Sequence, residues 1–357
     1  MDIASRSSEP VANPETADAA VPPQHPAVIR REDYRPPDWL VPEVALDFAL
    51  GLDETRVTAQ LSVTRNPAGS GASEILLNGD GIAARAVLVD GEPATGWRME
   101  GDDLVLSLPA EAHTITIETV VHPSSNSKLM GLYASGGMLC TQCEAEGFRR
   151  IAFFPDRPDV LSIFRVRMEG AMDAFPILLS NGNCTGSGEG LNGSHWAEWH
   201  DPWPKPSYLF ALVAGQLVAN ADSFVTRSGR TVALNIWVRD GDLDRTGHAM
   251  ASLKASMKWD EEAFGREYDL DLYNIVAVSD FNMGAMENKG LNIFNTRYVL
   301  ADPETATDAD YDAIEGVIAH EYFHNWSGNR VTCRDWFQLS LKEGFTVLRD
   351  QLFSADM

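Results

Sequence analysis

The chain contains no apolar run near the roughly 18 residues that a membrane-crossing helix requires. Cysteine is scarce, with four in 357 residues: Cys140, Cys143, Cys184 and Cys333. Only Cys140 and Cys143 stand close together, as a single Cys-x-x-Cys. A zinc ribbon takes two such pairs, so neither a redox nor a metal role is expected of this one. Basic residues are also few, 28 Lys and Arg against 52 Asp and Glu, for a net charge of −24. That balance excludes nucleic acid and an anionic membrane surface as natural partners. No internal repeat is visible. The first 26 residues are rich in Ala, Pro, Ser and Glu and hold no apolar stretch of the signal-peptide kind. A flexible tail over 1–27 and a cytoplasmic location follow as expectations. Without a secretion route, the Asn-x-Ser/Thr triplets at Asn183, Asn192 and Asn325 carry no weight.

What is present fits a globular chain: 44% hydrophobic and 22% charged residues, long enough for two domains. From about residue 30 to 216 short strand patterns follow one another. They include Val44–Leu50, Arg56–Thr64, Ala86–Val89, Leu104–Leu108, Thr114–Val120, Ser162–Met168, Ile177–Ser180, His195–Trp199 and Tyr208–Val213. Turn residues such as Asn66-Pro67 and Asp90-Gly91 separate them. This spacing predicts an antiparallel β-sandwich. After Gly215 the pattern mixes. Strands are expected at Val232–Val238 and Leu272–Val278, and helices at Asp244–Phe264, from Thr307 to near Gly328, and over Asp335–Ser354. The expected organisation is a tail (1–27), a β-rich domain (28–216) and a second, mixed domain (217–357).

His320-Glu321-Tyr322-Phe323-His324 is a His-Glu-x-x-His sequence. On a helix, positions i and i+4 share a face, so both imidazoles can reach one metal ion. Glu321 is then placed to take a proton from water activated at that metal. Glu343, 18 intervening residues after His324, is a candidate third ligand on a following helix. Two His and one carboxylate leave a fourth position open, as in catalytic zinc sites. The same donor set also serves non-haem iron, although iron does not call for the intervening Glu321. The plain alternative is two ordinary helix histidines and a surface acid.

Gly284-Ala285-Met286-Glu287-Asn288 lies upstream of the histidines. Its small residues allow a substrate backbone to come close, and Glu287 can meet a positively charged α-amine. Glu144, in Gln142-Cys143-Glu144-Ala145-Glu146-Gly147, is a second acid able to converge on the same ammonium. Two carboxylates there would fix which peptide bond faces the metal.

Taken together, Gln142-x-Glu144, Gly284-Ala285-Met286-Glu287-Asn288 and His320-Glu321-x-x-His324 with Glu343 resemble the M1 family of zinc metallopeptidases, in its bacterial aminopeptidase branch. The surrounding Asp280-Phe281-Asn282-Met283, Lys289–Asn295 and Asn325–Glu343 agree, so the likeness runs over about 30–357. The resemblance implies a metalloaminopeptidase of broad, alanyl type that acts on peptides with a free N-terminus and binds one Zn2+ per chain. His320, His324 and Glu343 would hold the metal. Glu321 would be the general base and then the proton donor to the leaving amine, and Glu287 and Glu144 would hold the α-amine. Gly284 and Ala285 would meet the substrate backbone, Gln142 and Met283 would line the pocket for the first side chain, and Met286 and Asn288 complete the substrate motif. A related branch hydrolyses epoxides, but resembles Gly-Gly-Met-Glu-Asn where this chain has Ala285. Family members continue through the rest of a thermolysin-like domain, including an oxyanion-steadying tyrosine, and then a large helical region. The expectation is therefore an incomplete α+β peptidase domain after a β-rich one. These 357 residues alone are expected to be poorly active or inactive, with Leu348, Leu352 and Phe353 of the last helix uncovered.

Overall fold

In the first strand of the β-rich region, Trp39–Ala49, the inward residues are Trp39, Val41, Val44, Leu46 and Phe48. The alternation slips by one between Val41 and Val44. Pro42 lies in that gap, where the pairing register shifts between Leu40 and Glu43. Proline has no N–H to offer a ladder, so an irregularity is the tolerated place for it. The partner strand Thr55–Arg65 keeps strict alternation, burying Val57, Ala59, Leu61 and Val63.

The computed structural model describes residues 28–357, and the expected tail at 1–27 lies outside them. Of the described residues, 28–34 fall in one unit, which holds one 3-10 turn, Arg31–Asp33. Arg35–Met357 forms a second unit. Its largest sheet has eight strands. Trp39–Ala49 lies at the middle, antiparallel to Thr55–Arg65 on one side and parallel to Ser162–Ala171 on the other. The region is therefore β-rich but not purely antiparallel. A four-stranded sheet combines Ile177–Ser180, Leu212–Gly215, Met138–Gln142 and Gly131–Ser135. Tyr208 and Leu209, expected in a strand, sit instead in a 3-10 turn, Ser207–Leu209.

The mixed region is built on a five-stranded sheet. Thr231–Val238, Leu272–Val278 and Leu291–Asn295 run parallel, with antiparallel strands Val218–Val225 and Ala285–Met286 at the two edges. Val276, Val278, Leu291 and Ile293 join the core of the β-rich region. Ile236, Tyr273, Ile275 and Phe294 face the helices instead. A sheet covered on both faces reads as a continuous apolar run, which is why Leu272–Val278 shows no alternation.

Three α-helices occur among the described residues: α1 (Gly247–Ala263), α2 (Asp308–Phe323) and α3 (Leu339–Asp356). α2 opens on a capping box. Thr307 Oγ1 accepts from the Asp310 N–H at 3.3 Å, and Asp310 Oδ2 accepts from the Thr307 N–H at 2.9 Å. It ends at Phe323, earlier than the expected Gly328. Beyond it the chain closes tight turns, with the Asn329 N–H donating to His324 O at 2.9 Å. Phe353 of α3 is fully buried, with its ring against Trp259 of α1 and Phe323 of α2. That corrects the expectation that it lacks cover. Leu348 and Leu352 are exposed. No described helix is long and apolar enough to cross a membrane.

Candidate active site

α2 delivers the two histidines. His320 lies in its last turn, and His324, just past its end, keeps helical dihedrals (φ −58°, ψ −20°), so the i, i+4 relation survives. α3 packs against α2 and brings Glu343 from its first turns. His320 Nε2 and His324 Nε2 stand 2.9 Å apart, and each lies 3.3 Å from Glu343 Oε2. Donors about 2.1 Å from a tetrahedral ion are separated by roughly 3.4 Å, so this triangle fits a zinc-sized cation. The outer imidazole nitrogens are occupied: His320 Nδ1 bonds Asp350 Oδ2 at 2.6 Å, and His324 Nδ1 bonds the Ser327 carbonyl at 2.8 Å. Both Nε2 atoms are thereby turned to the centre, the arrangement by which outer partners fix a metal-binding histidine. Gly328 has φ 142°, and a Cβ there would lie 2.6 Å from His324 Nδ1, so glycine is needed for the ring to seat.

Glu321 is buried beside this triangle, and its Oε2 has no hydrogen-bond partner. Burial, against the pull of His320 and with repulsion from Glu287, pushes its carboxyl up to about 8. That places the group near neutrality, where a side chain can both take up and release a proton.

Glu287 follows the short edge strand Ala285–Met286, and Glu144 follows the strand Met138–Gln142. Their carboxylates and that of Glu343 each offer an oxygen within 4.8 Å of the others. Lys342 fills the space among them. Its Nζ lies 3.0 Å from Glu144 Oε1 and 2.7 Å from Glu343 Oε1, and donates to Glu287 Oε1. Burial alone would raise Glu287, but Lys342 and His324 outweigh it and hold the carboxyl below its ordinary value. Glu144 is pushed up to about 7, by burial and then by Glu287, with Lys342 pulling the other way. Three acids and one lysine leave this cluster with surplus negative charge that a second ammonium can satisfy.

The histidines and the four acids open into one cleft of about 560 Å³, whereas Lys342 lies behind them and does not line it. Glu144, Met283, Gly284, Ala285, Glu287, His320, Glu321, His324 and Glu343 line it, and Met283 is half exposed there. Gln142, Met286 and Asn288 do not line it. They are buried behind its wall, where Gln142 Nε2 lies 3.4 Å from the Glu144 carbonyl and 3.7 Å from Met286 Sδ. A larger cavity, about 650 Å³, lies on another side of α3 and holds neither Glu321 nor the histidines. Cys140 and Cys143 are buried free thiols, pushed by burial to about 12 and well above the ordinary value respectively, which suppresses their reactivity.

Residues 36–209 match the Peptidase M1 N-terminal domain and residues 248–357 the Peptidase family M1 domain. The chain belongs to peptidase family M1. It is 58% identical to Aminopeptidase N of Caulobacter vibrioides over 93% of its own length, and 56% identical to Aminopeptidase N of Escherichia coli over 94%. It covers 38% of each of those proteins. Among solved structures, that of Legionella pneumophila aminopeptidase A in complex with aspartic acid superimposes with a TM-score of 0.88 at 34% identity. That match covers 91% of this chain and 39% of the other. In this M1 chain, Lys342 and Asp350 are site residues that belong to none of the motifs singled out in the sequence. Asp350 stands two helical turns after Glu343 and so shares its face, a signal that was available.

Proposed function

We propose that this chain carries the site of a zinc-dependent aminopeptidase that removes N-terminal residues from peptides, one Zn2+ per chain. The observation that carries the reading is the meeting, in one cleft, of a two-histidine, one-carboxylate triangle with a second carboxylate pair. Zinc, when held by His320, His324 and Glu343, supplies Lewis-acid activation of water and of the substrate carbonyl. Glu321 accepts the proton of the attacking water and passes it to the departing amine. Glu287 and Glu144 bind the substrate's α-ammonium and so select the first peptide bond. Gly284 and Ala285 face the substrate backbone and Met283 its first side chain, with a thioether that repacks easily. The domain border near residue 216 and a cytoplasmic location belong to the same proposal.

The test compares an alanyl anilide with its N-acetylated form, using the polypeptide as its cell makes it. Loss of the charged hydrogen bonds to the amine is expected to lower kcat/KM by about 10²-fold. Equal turnover of both substrates sinks the amine anchor. A second measurement addresses the metal. Asp350→Ala frees the outer nitrogen of His320 and is expected to weaken zinc binding by about 10–100-fold, read by competition with a chelator. Unchanged affinity would mean that Asp350 does not orient the ligand.

A further inference from the structure

Two buried hydrogen bonds tie the segment that carries Glu287 to the segment that follows His324. Asn329 Nδ2 donates to the Glu287 carbonyl at 2.8 Å. Lys289 Nζ donates to Asn325 Oδ1 at 2.6 Å and pairs with Asp269. Both struts begin close to the second histidine, because Asn325 follows it directly and the Asn329 N–H donates to its carbonyl at 2.9 Å. Lys289, Asn325 and Asn329 are all 4% exposed or less. From the β-rich region, Asn181 Nδ2 donates to the Lys289 carbonyl at 2.9 Å and holds the far side of the same segment. At the end of this frame His324 Nδ1 and Glu287 Oε1 lie 3.9 Å apart.

Burying a lysine costs several kcal/mol of desolvation, which its partners only partly offset. An apolar residue would fill the volume beneath the motif more cheaply. Asp269 does not need Lys289 for neutrality, because Arg330 pairs with it as well. What Lys289 adds is a fixed link between the amine-binding and metal-binding segments. Asn329 adds a second one: its Oδ1 has no partner, so its one side-chain hydrogen bond is the link to Glu287. We infer that Lys289 and Asn329 are positioning residues that set the separation between the ammonium site and the metal donors, and so hold the enzyme to cleavage after a single residue. The inference rests on the aminopeptidase reading above.

The experiment measures binding of two hydroxamates to the zinc-loaded protein by calorimetry. Acetohydroxamate engages only the metal. L-alanine hydroxamate engages the metal and offers an α-ammonium at a fixed distance from it. The unsubstituted chain is expected to bind the alanine compound at least about tenfold more tightly. Lys289→Met, which keeps Asp269 paired with Arg330, and Asn329→Ala are each expected to shrink that preference about tenfold, or about 1.4 kcal/mol. Acetohydroxamate affinity and zinc content stay as they were. A merely structural role moves both ligands together, and that result overturns the inference, as does an unchanged preference in both variants. If Lys289→Met does not fold, Asn329→Ala decides alone. If the unsubstituted chain binds both compounds equally, the aminopeptidase reading fails and the inference falls with it.

Discussion

Replacing Glu321 with glutamine is expected to lower kcat by about 10²–10⁴-fold, the range for losing a positioned general base. The substitution keeps the shape of a side chain that is 6% exposed and changes one property, its ability to accept a proton. Glu321 Oε2 makes no hydrogen bond, so no structural partner is stranded by the change. Its neighbours in sequence and space, His320 and His324, keep their outer partners Asp350 and Ser327. Zinc content should therefore match that of the unsubstituted protein, and metal analysis of the purified variant checks that the loss is one of chemistry. If Glu287 and Glu144 hold the substrate amine as proposed, substrate affinity should change little, which places the effect in kcat and not in KM. Turnover within about tenfold of normal would remove Glu321 from the proton path.

How far this site could be read from the chain depends on distance along it. His320, Glu321 and His324 fall within a helical turn, where local geometry settles which faces they share. Glu343 needs two helices to pack, and its placement came from the spacing and from the family likeness. Lys342 was adjacent to it and silent, because its partners Glu144 and Glu287 are remote in sequence and meet it only in the folded site. The strand that ends on Gln142 was missed for a different reason: all five of its residues, Met138–Gln142, are buried, so it shows no alternation. The parallel pairing of Trp39–Ala49 with Ser162–Ala171 was equally hidden. Strand patterns carry a period and not a direction, and a partner more than a hundred residues away leaves no turn signature. Phe353 is expected to lack cover because family members continue past this helix, but the pocket that receives it is built by α1 and α2 together.

Lys342→Met is expected to reduce stability by about 3–5 kcal/mol, as when one partner of a buried ion pair is removed. The side chain of Lys342 is 2% exposed, and those of Glu287 and Glu144 are 4% and 12% exposed. Methionine fills the volume of the aliphatic stem, so packing is nearly kept and the deficit is electrostatic. Glu287 is then left with a buried charge whose main offsetting group is gone. Glu144, already pushed up to about 7 by burial and by Glu287, loses the group that pulls it down and rises further. A protonated Glu144 no longer attracts an ammonium, so KM for free-amine substrates should rise alongside the loss of stability. Glu343 suffers less, because the two imidazoles and a bound metal both favour its charged form. The check is urea unfolding with zinc held saturating, together with KM for the alanyl anilide. A midpoint shift worth under about 1 kcal/mol would show that water, and not Lys342, balances the acids of the cleft.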